Sequence, residues 1–156
     1  MSATRLAVSV LGVLLVLAYA GASALWLENN SAWYIGLKRP WWQPPDVVFG
    51  LIWPYNFTAL GIALVVVAQR LSYWQMGMAI GLFAVSVATA TLWSYSFYST
   101  HQLGPAAAAL AITAVLTVPV VVYVFSASTL MGWLLMPYQL WIITAASLSW
   151  GYWRLN

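Results

Sequence analysis

The sequence predicts an all-α membrane protein: a five-transmembrane-helix bundle with one long, lid-like first loop. Three observations lead there. The chain is 64% hydrophobic and only 4% charged, against roughly 25% charged residues in a soluble domain, so it cannot cover a water-facing surface. Five stretches reach the ~20 apolar residues that an α-helical span needs. The connections between them are short except for the first. The 156 residues read as a single domain, 1–156, integral to a membrane and multi-pass.

The spans follow in order. Leu6–Leu27 begins after Arg5. It offers small residues in AYAGASA, but it exceeds the about 7–15 residues of a signal-peptide core and reads as a retained helix. Val47–Ala68 is the second span and Met76–Tyr98 the third. Pro105–Phe125 is the fourth, with Pro105 suited to a first helical turn. Trp133–Trp153 is the fifth. Arg70–Gln75, Ser99–Gly104 and Ser126–Leu130 read as tight turns between antiparallel neighbours, and Glu28–Asp46 as the long connection. Pro54, Pro119 and Pro137 lie inside spans or near their starts, where kinks are tolerated if neighbours satisfy the freed carbonyls. An odd number of spans puts the termini on opposite sides. Arg5 and Arg70 fall on one side and Lys38, Arg39 and Arg154 on the other, so the positive-inside rule leans toward a cytoplasmic C-terminus.

Several kinds of chemistry are excluded by what the chain lacks. Its five basic residues are scattered, which makes nucleic acid a poor partner. It has no Cys, hence no disulfide, thiolate nucleophile or thiolate metal site. Glu28, Asp46, Arg70 and Arg154 all sit at or near span ends, whereas proton- or ion-coupled carriers need an embedded ionisable group. No internal repeat is visible, which argues against an inverted-repeat transporter. Ser, Thr and His show no triad spacing, so no catalytic residue is assigned. The lone loop His101 is either a solvated residue or a haem ligand, and no metal-binding set is assigned.

The eleven Trp are the outlying number. Trp26, Trp33, Trp74, Trp133, Trp150 and Trp153 fall near span ends and suit interfacial belts. Trp53, Trp93 and Trp141 lie deeper, where bundle packing and ligand contact are both open. Helical spacing places Trp53 and Phe57 together with Asn56 beside them. It also aligns Thr89, Trp93 and Phe97, and Tyr138, Trp141, Ala145, Leu148 and Tyr152. Three such stripes facing one another would form an apolar pocket edged with indole N–H and phenol O–H groups, suited to a flat, largely apolar ligand such as a sterol or tetrapyrrole.

The stretch WYIGLKRPWWQPPDVVFGLIWPYN, Trp33–Asn56, carries the most specific pattern. Trp33, Tyr34, Leu37, Lys38, Pro40, Trp42, Pro44, Pro45 and Trp53 resemble the signature of the TspO/translocator protein family, also called peripheral-type benzodiazepine receptors or tryptophan-rich sensory proteins. The close LMPYQLWIITAASLSWGYWRLN, Leu135–Asn156, and Leu92, Trp93 and Phe97 resemble that family too, so the likeness spans essentially the whole chain. It implies a five-helix bundle whose first loop lids a pocket. Members bind porphyrins, haem, sterols, isoquinoline carboxamides and benzodiazepines, and some bacterial members are described as degrading protoporphyrin in light. Trp53 and Trp141 match pocket tryptophans and Tyr34 the loop tyrosine. The chain departs at Ala90, where an Asn is frequent, at Ser86 (Gln) and at Ser149 (Asn).

Stripes and resemblance together give Tyr34, Trp42, Trp53, Asn56, Phe57, Ala90, Trp93, Phe97, Tyr138, Trp141 and Ala145 as expected ligand-binding residues. The expected function is binding of a porphyrin- or haem-type tetrapyrrole, or a sterol-like molecule, as sensor or translocator, with no required cofactor. The alternative is an enzyme that degrades protoporphyrin by light-dependent oxidation. In the loop, Pro40, Pro44 and Pro45 limit backbone freedom, which reduces the entropy lost when it orders over a ligand. Tyr34, Trp41 and Trp42 can cover the pocket, and Lys38 and Arg39 face either a propionate or lipid headgroups. Leu148, Tyr152 and Arg154 fit a proposed cholesterol pattern of low specificity. Gly77 and Gly81, continued by Ala84 and Ala88, form a small-residue face for either a homodimer or internal packing.

Overall fold

The computed structural model describes residues 2–26 and 31–156. Its elements are α1 (Ala3–Ala24), a short α2 (Ser31–Gly36), α3 (Asp46–Arg70), α4 (Tyr73–Ser94), α5 (Leu103–Ala127) and α6 (Thr129–Leu155). All but α2 are long and apolar enough to cross a membrane, α1 being 22 residues. At about 1.5 Å rise per residue even that helix matches a ~30 Å hydrocarbon core. The five expected spans are therefore present among the described residues. The expected ends at Leu27 and Glu28 lie outside them.

α1, α4 and α6 start earlier than hydropathy suggests, because a serine caps each of them. Ser72 and Gln75 form a reciprocal capping box that opens α4 at Tyr73, three residues before the expected Met76. Ser128 ends α5 and caps α6, its Oγ accepting from the Met131 N–H at 3.4 Å. The expected turn Ser126–Leu130 thus shrinks to one residue. Glycine is required at this corner: a β-carbon on Gly132 would lie 2.2 Å from the Phe125 ring. The long connection contains α2, and Pro45 precedes α3 with Asp46 in the first turn, where a carboxylate complements the helix dipole.

α5 packs against α4 and α6, α1 against α3 and α4, and α3 against α6. Leu60, Leu64, Val67, Phe83, Leu135 and Ile142 fill the centre, while Leu17, Ile62, Val115 and Leu130 face outward. Large apolar side chains on the outside are stable against lipid rather than water. At one end of the bundle Arg5 donates to the Ala68 and Leu71 carbonyls at 2.6 and 3.0 Å, capping the C-terminus of α3. At the other end Asn156 Oδ1 accepts from the Lys38 N–H at 2.9 Å. The chain ends therefore lie at opposite ends of the bundle.

α4 closes in a π-helical turn, Tyr95–Ser99, with the Thr100 N–H reaching Tyr95 O at 3.2 Å. His101 follows with φ 57° and stacks on Trp33 at 3.9 Å.

Candidate functional site

An aromatic cavity of about 380 Å³ opens between α3, α4 and α6 beneath the first connection. α3 supplies Phe49 and Trp53 one turn apart, with Gly50 between them. α6 supplies Trp141, Ala145, Leu148, Ser149 and Tyr152, an uninterrupted helical stripe. Trp93, Phe97 and Tyr98 come from the end of α4 and its π turn. The wider turn lets the consecutive Phe97 and Tyr98 both border the cavity, as π turns often do at functional sites. Tyr34, Gln43 and Asp46 complete the lining from the first connection and the start of α3.

The rings meet mostly edge to face, the favoured arrangement. Trp141 receives Phe49 at 5.0 Å and Trp53 at 6.3 Å. Phe97 meets Tyr152 at 5.5 Å and Tyr98 at 4.9 Å. Trp93 Nε1 donates to Ser149 Oγ at 3.2 Å. Over the cavity, Tyr34 Oη and Tyr152 Oη are 3.1 Å apart. Tyr152 donates to Gln43 Oε1, and Gln43 Nε2 donates to Tyr34 Oη at 3.3 Å. The connection is further seated on α6 by Trp42, whose Nε1 donates to Ser147 Oγ at 3.2 Å, and by Pro40, which is buried. Asn156 Nδ2 also donates to Lys38 O at 3.1 Å.

Charge is confined to the margin. Arg39 and Asp46 approach to 3.9 Å with both side chains substantially exposed, a pairing worth little in water. Arg39 also lies 5.9 Å over the Tyr34 ring. Among the described residues no group of three His, Asp or Glu side chains converges as a metal site.

Of the expected site residues, Tyr34, Trp53, Trp93, Phe97, Trp141 and Ala145 line the cavity. The other five stand elsewhere. Trp42 is partly exposed and holds the connection to α6. Asn56 and Tyr138 are buried one turn deeper. Phe57 stacks on Trp53 at 5.4 Å and faces a shallow outer groove against α1. Ala90 is buried in the apolar core, its methyl too short to reach the cavity. Thr89, which shared its stripe with Trp93, turns instead to Thr113 on α5 at 2.8 Å. Gln43, Asp46, Phe49, Gly50 and Tyr98 also line the cavity and are not among the expected residues. Phe49 stands one turn before Trp53, a spacing the sequence already displays. Gln43 lies in a segment without helical period, and no sequence signal marks it.

Five spanning helices around an aromatic cavity define a multi-pass membrane protein. Residues 9–154 match the TspO/MBR family, and the chain belongs to that family. It is 31% identical over 130 residues to the tryptophan-rich sensory protein of Cereibacter sphaeroides, covering 83% of this chain and 80% of that protein. It is 30% identical over 144 residues to protein CrtK of Rhodobacter capsulatus, covering 89% and 87%. It is 30% identical over 132 residues to the translocator protein of Sus scrofa, covering 83% and 78%. The chain is an integral, multi-pass membrane protein.

Proposed function

We propose that the chain binds a flat, largely apolar molecule in the aromatic cavity, either a porphyrin- or haem-type tetrapyrrole or a sterol-like compound, and acts as a sensor or translocator. The observation that carries this is the wall of Phe49, Trp53, Trp93, Phe97 and Trp141 beneath a hydrogen-bonded cover of Tyr34, Gln43 and Tyr152. The rings offer faces for stacking, and the cavity volume falls in the usual range for small-molecule sites. The relatives' names, sensory protein and translocator protein, favour the same role. The first connection acts as the lid, and Arg39 at its margin serves a ligand carboxylate. Passage would be passive, since the described charged side chains lie at the bundle ends. A sterol would enter through the cavity: Leu148 and Tyr152 of the cholesterol-type pattern are buried there and do not face lipid. Gly77, Gly81, Ala84 and Ala88 form the homodimer face. Gly77 and Gly81 are exposed, and a β-carbon on either would meet nothing within 4 Å.

The test is tryptophan-fluorescence titration of the purified protein with protoporphyrin IX, haem and cholesterol, in the dark and then under light. Saturable quenching by one of them is expected. Absence of quenching by protoporphyrin IX and haem, together with no saturable change of emission with cholesterol, would sink the binding proposal. A bleached porphyrin product in the illuminated arm would assign the alternative, light-dependent degradation.

A further inference from the structure

The middle of the bundle holds an amide and an indole N–H that no described protein group satisfies. Asn56 on α3 is 0% exposed, and neither its amide oxygen nor its amide nitrogen has a hydrogen-bond partner. Trp141 Nε1 on α6 is likewise buried and unpartnered; Tyr138 Oη, also buried, faces the Tyr19 hydroxyl of α1 without a well-formed hydrogen bond.

Helix register brings these groups to one level. Trp53 packs edge-on to Trp141, and Tyr55 Oη donates to the Leu134 carbonyl at 2.6 Å. α3 and α6 therefore run antiparallel. Asn56, one turn beyond Trp53, comes opposite Tyr138, one turn before Trp141. Tyr19 of α1 closes this layer, its ring edge-on to Trp53 and Phe57 at 6.1 and 5.4 Å. An unpaired amide away from water is costly, and a bilayer offers it no substitute partner. Buried groups of this kind are ordinarily satisfied by a bound water or ligand. Leu60 and Leu64, which continue the same face of α3, show what the position would hold if only packing mattered.

We propose that Asn56, Tyr138 and Trp141 form a neutral hydrogen-bonding subsite behind the aromatic wall, filled by water in the free protein and by a hydroxyl or amide group of the ligand in the complex. The donor set defines the guest. The Trp141 indole only donates, the Asn56 amide both donates and accepts, and the Tyr138 hydroxyl does either. A guest that accepts from the indole and donates to Asn56 Oδ1 fits; water, hydroxyl and amide do both. The guest is neutral because the described charged side chains, Arg5, Lys38, Arg39, Asp46, Arg70 and Arg154, lie at the bundle ends and leave a buried ion without a counter-charge. Trp141 lines the cavity while Asn56 and Tyr138 lie deeper, so the indole is the group shared by cavity and subsite. The ligand half of the proposal rests on the cavity being a ligand site; the water half does not.

The full chain, labelled with ¹⁵N-tryptophan in lipid nanodiscs, provides the test, with Trp141→Phe assigning the indole signal. In the free protein the Trp141 N–H should show magnetisation transfer from water although the residue is only 7% exposed. Asn56→Leu, close in volume, should abolish that transfer, and Tyr138→Phe, which keeps the ring, should weaken it. Cholesterol, a hydroxyl-bearing probe, separates the two sources. Loss of the water signal on binding, with affinity about tenfold lower in Asn56→Leu, assigns the subsite to the ligand group. Persistence of the water signal at saturation, or no binding of cholesterol at all, overturns the ligand half, and the free-protein signal then decides the water half. A wild-type indole without water transfer, or transfer that Asn56→Leu and Tyr138→Phe both leave unchanged, overturns the proposal.

Discussion

Gly151 on α6 lies directly against Pro40 of the first connection: a β-carbon at 151 would come within 2.7 Å of Pro40 Cγ and 2.9 Å of the Trp42 ring. Glycine is thus what lets the connection descend onto the helix and bring Tyr34 and Gln43 over the cavity. Gly151→Leu should lift the connection, free the Lys38 backbone from Asn156 for tryptic cleavage and raise the protoporphyrin dissociation rate several-fold. Gly21→Leu is the control, since Gly21 has nothing within 4 Å of an added β-carbon. Equal tryptic resistance in the two variants would show that the connection does not depend on this seat.

The existence and order of the five spans were legible because about 20 apolar residues in a row have few other uses. The ends were not, because hydropathy does not register a capping serine such as Ser72 or Ser128. The α6 side of the cavity was legible from Trp141, Ala145, Leu148 and Tyr152, which keep one helical phase to the end. The α4 side was only half legible. The π turn at Tyr95 shifts the phase, bringing Tyr98 to the cavity, while Thr89 bonds across to α5. Asn56 and Tyr138 belong to the correct stripes but lie one turn too deep to line the cavity, a depth that periodicity alone does not fix. The loop residue Gln43 depends on a tertiary hydrogen bond to Tyr152, which local sequence does not encode.

Trp141 and Trp153 separate pocket from belt. Trp141 is buried against Phe49 and Trp53. Trp153 is 44% exposed, packs on Trp150 at 4.8 Å and does not line the cavity. Stacking of a flat ligand on an aromatic side chain contributes on the order of 1–3 kcal/mol, and about 1.4 kcal/mol is a factor of ten. Trp141→Ala should therefore weaken protoporphyrin binding roughly tenfold or more, and Trp153→Ala should change it little. Comparable affinities for the two variants by fluorescence titration would return Trp141 to a packing role.

The exposed glycines of α4 make a separate prediction about assembly. Gly81 is exposed and a β-carbon there would meet nothing within 4 Å, so Gly81→Leu should leave the fold of the single chain intact. It should keep two helices apart wherever small residues bring their backbones close. Light scattering in detergent should show a shift from dimer to monomer without loss of helical circular dichroism. A particle mass identical to wild type would remove the homodimer from this face.

The hydroxyl of Tyr152 isolates the polar contribution of the cover from its aromatic one. It meets both Tyr34 and Gln43, while its ring packs on Phe97 at 5.5 Å. Tyr152→Phe keeps the ring and removes the hydroxyl. A hydrogen bond contributes about 1 kcal/mol net, and more when a buried partner is left unpaired, so ligand dissociation should quicken roughly fivefold to tenfold while the aromatic wall survives. Gln43→Leu should give a similar change, because it breaks the same link from the loop side. The double variant should then be no worse than either single one, since neighbours in one network are not additive. Stopped-flow dissociation of protoporphyrin from the four proteins reads this directly. Effects that simply multiply would show that Tyr152 and Gln43 act separately and that their hydrogen bond does not hold the connection over the cavity.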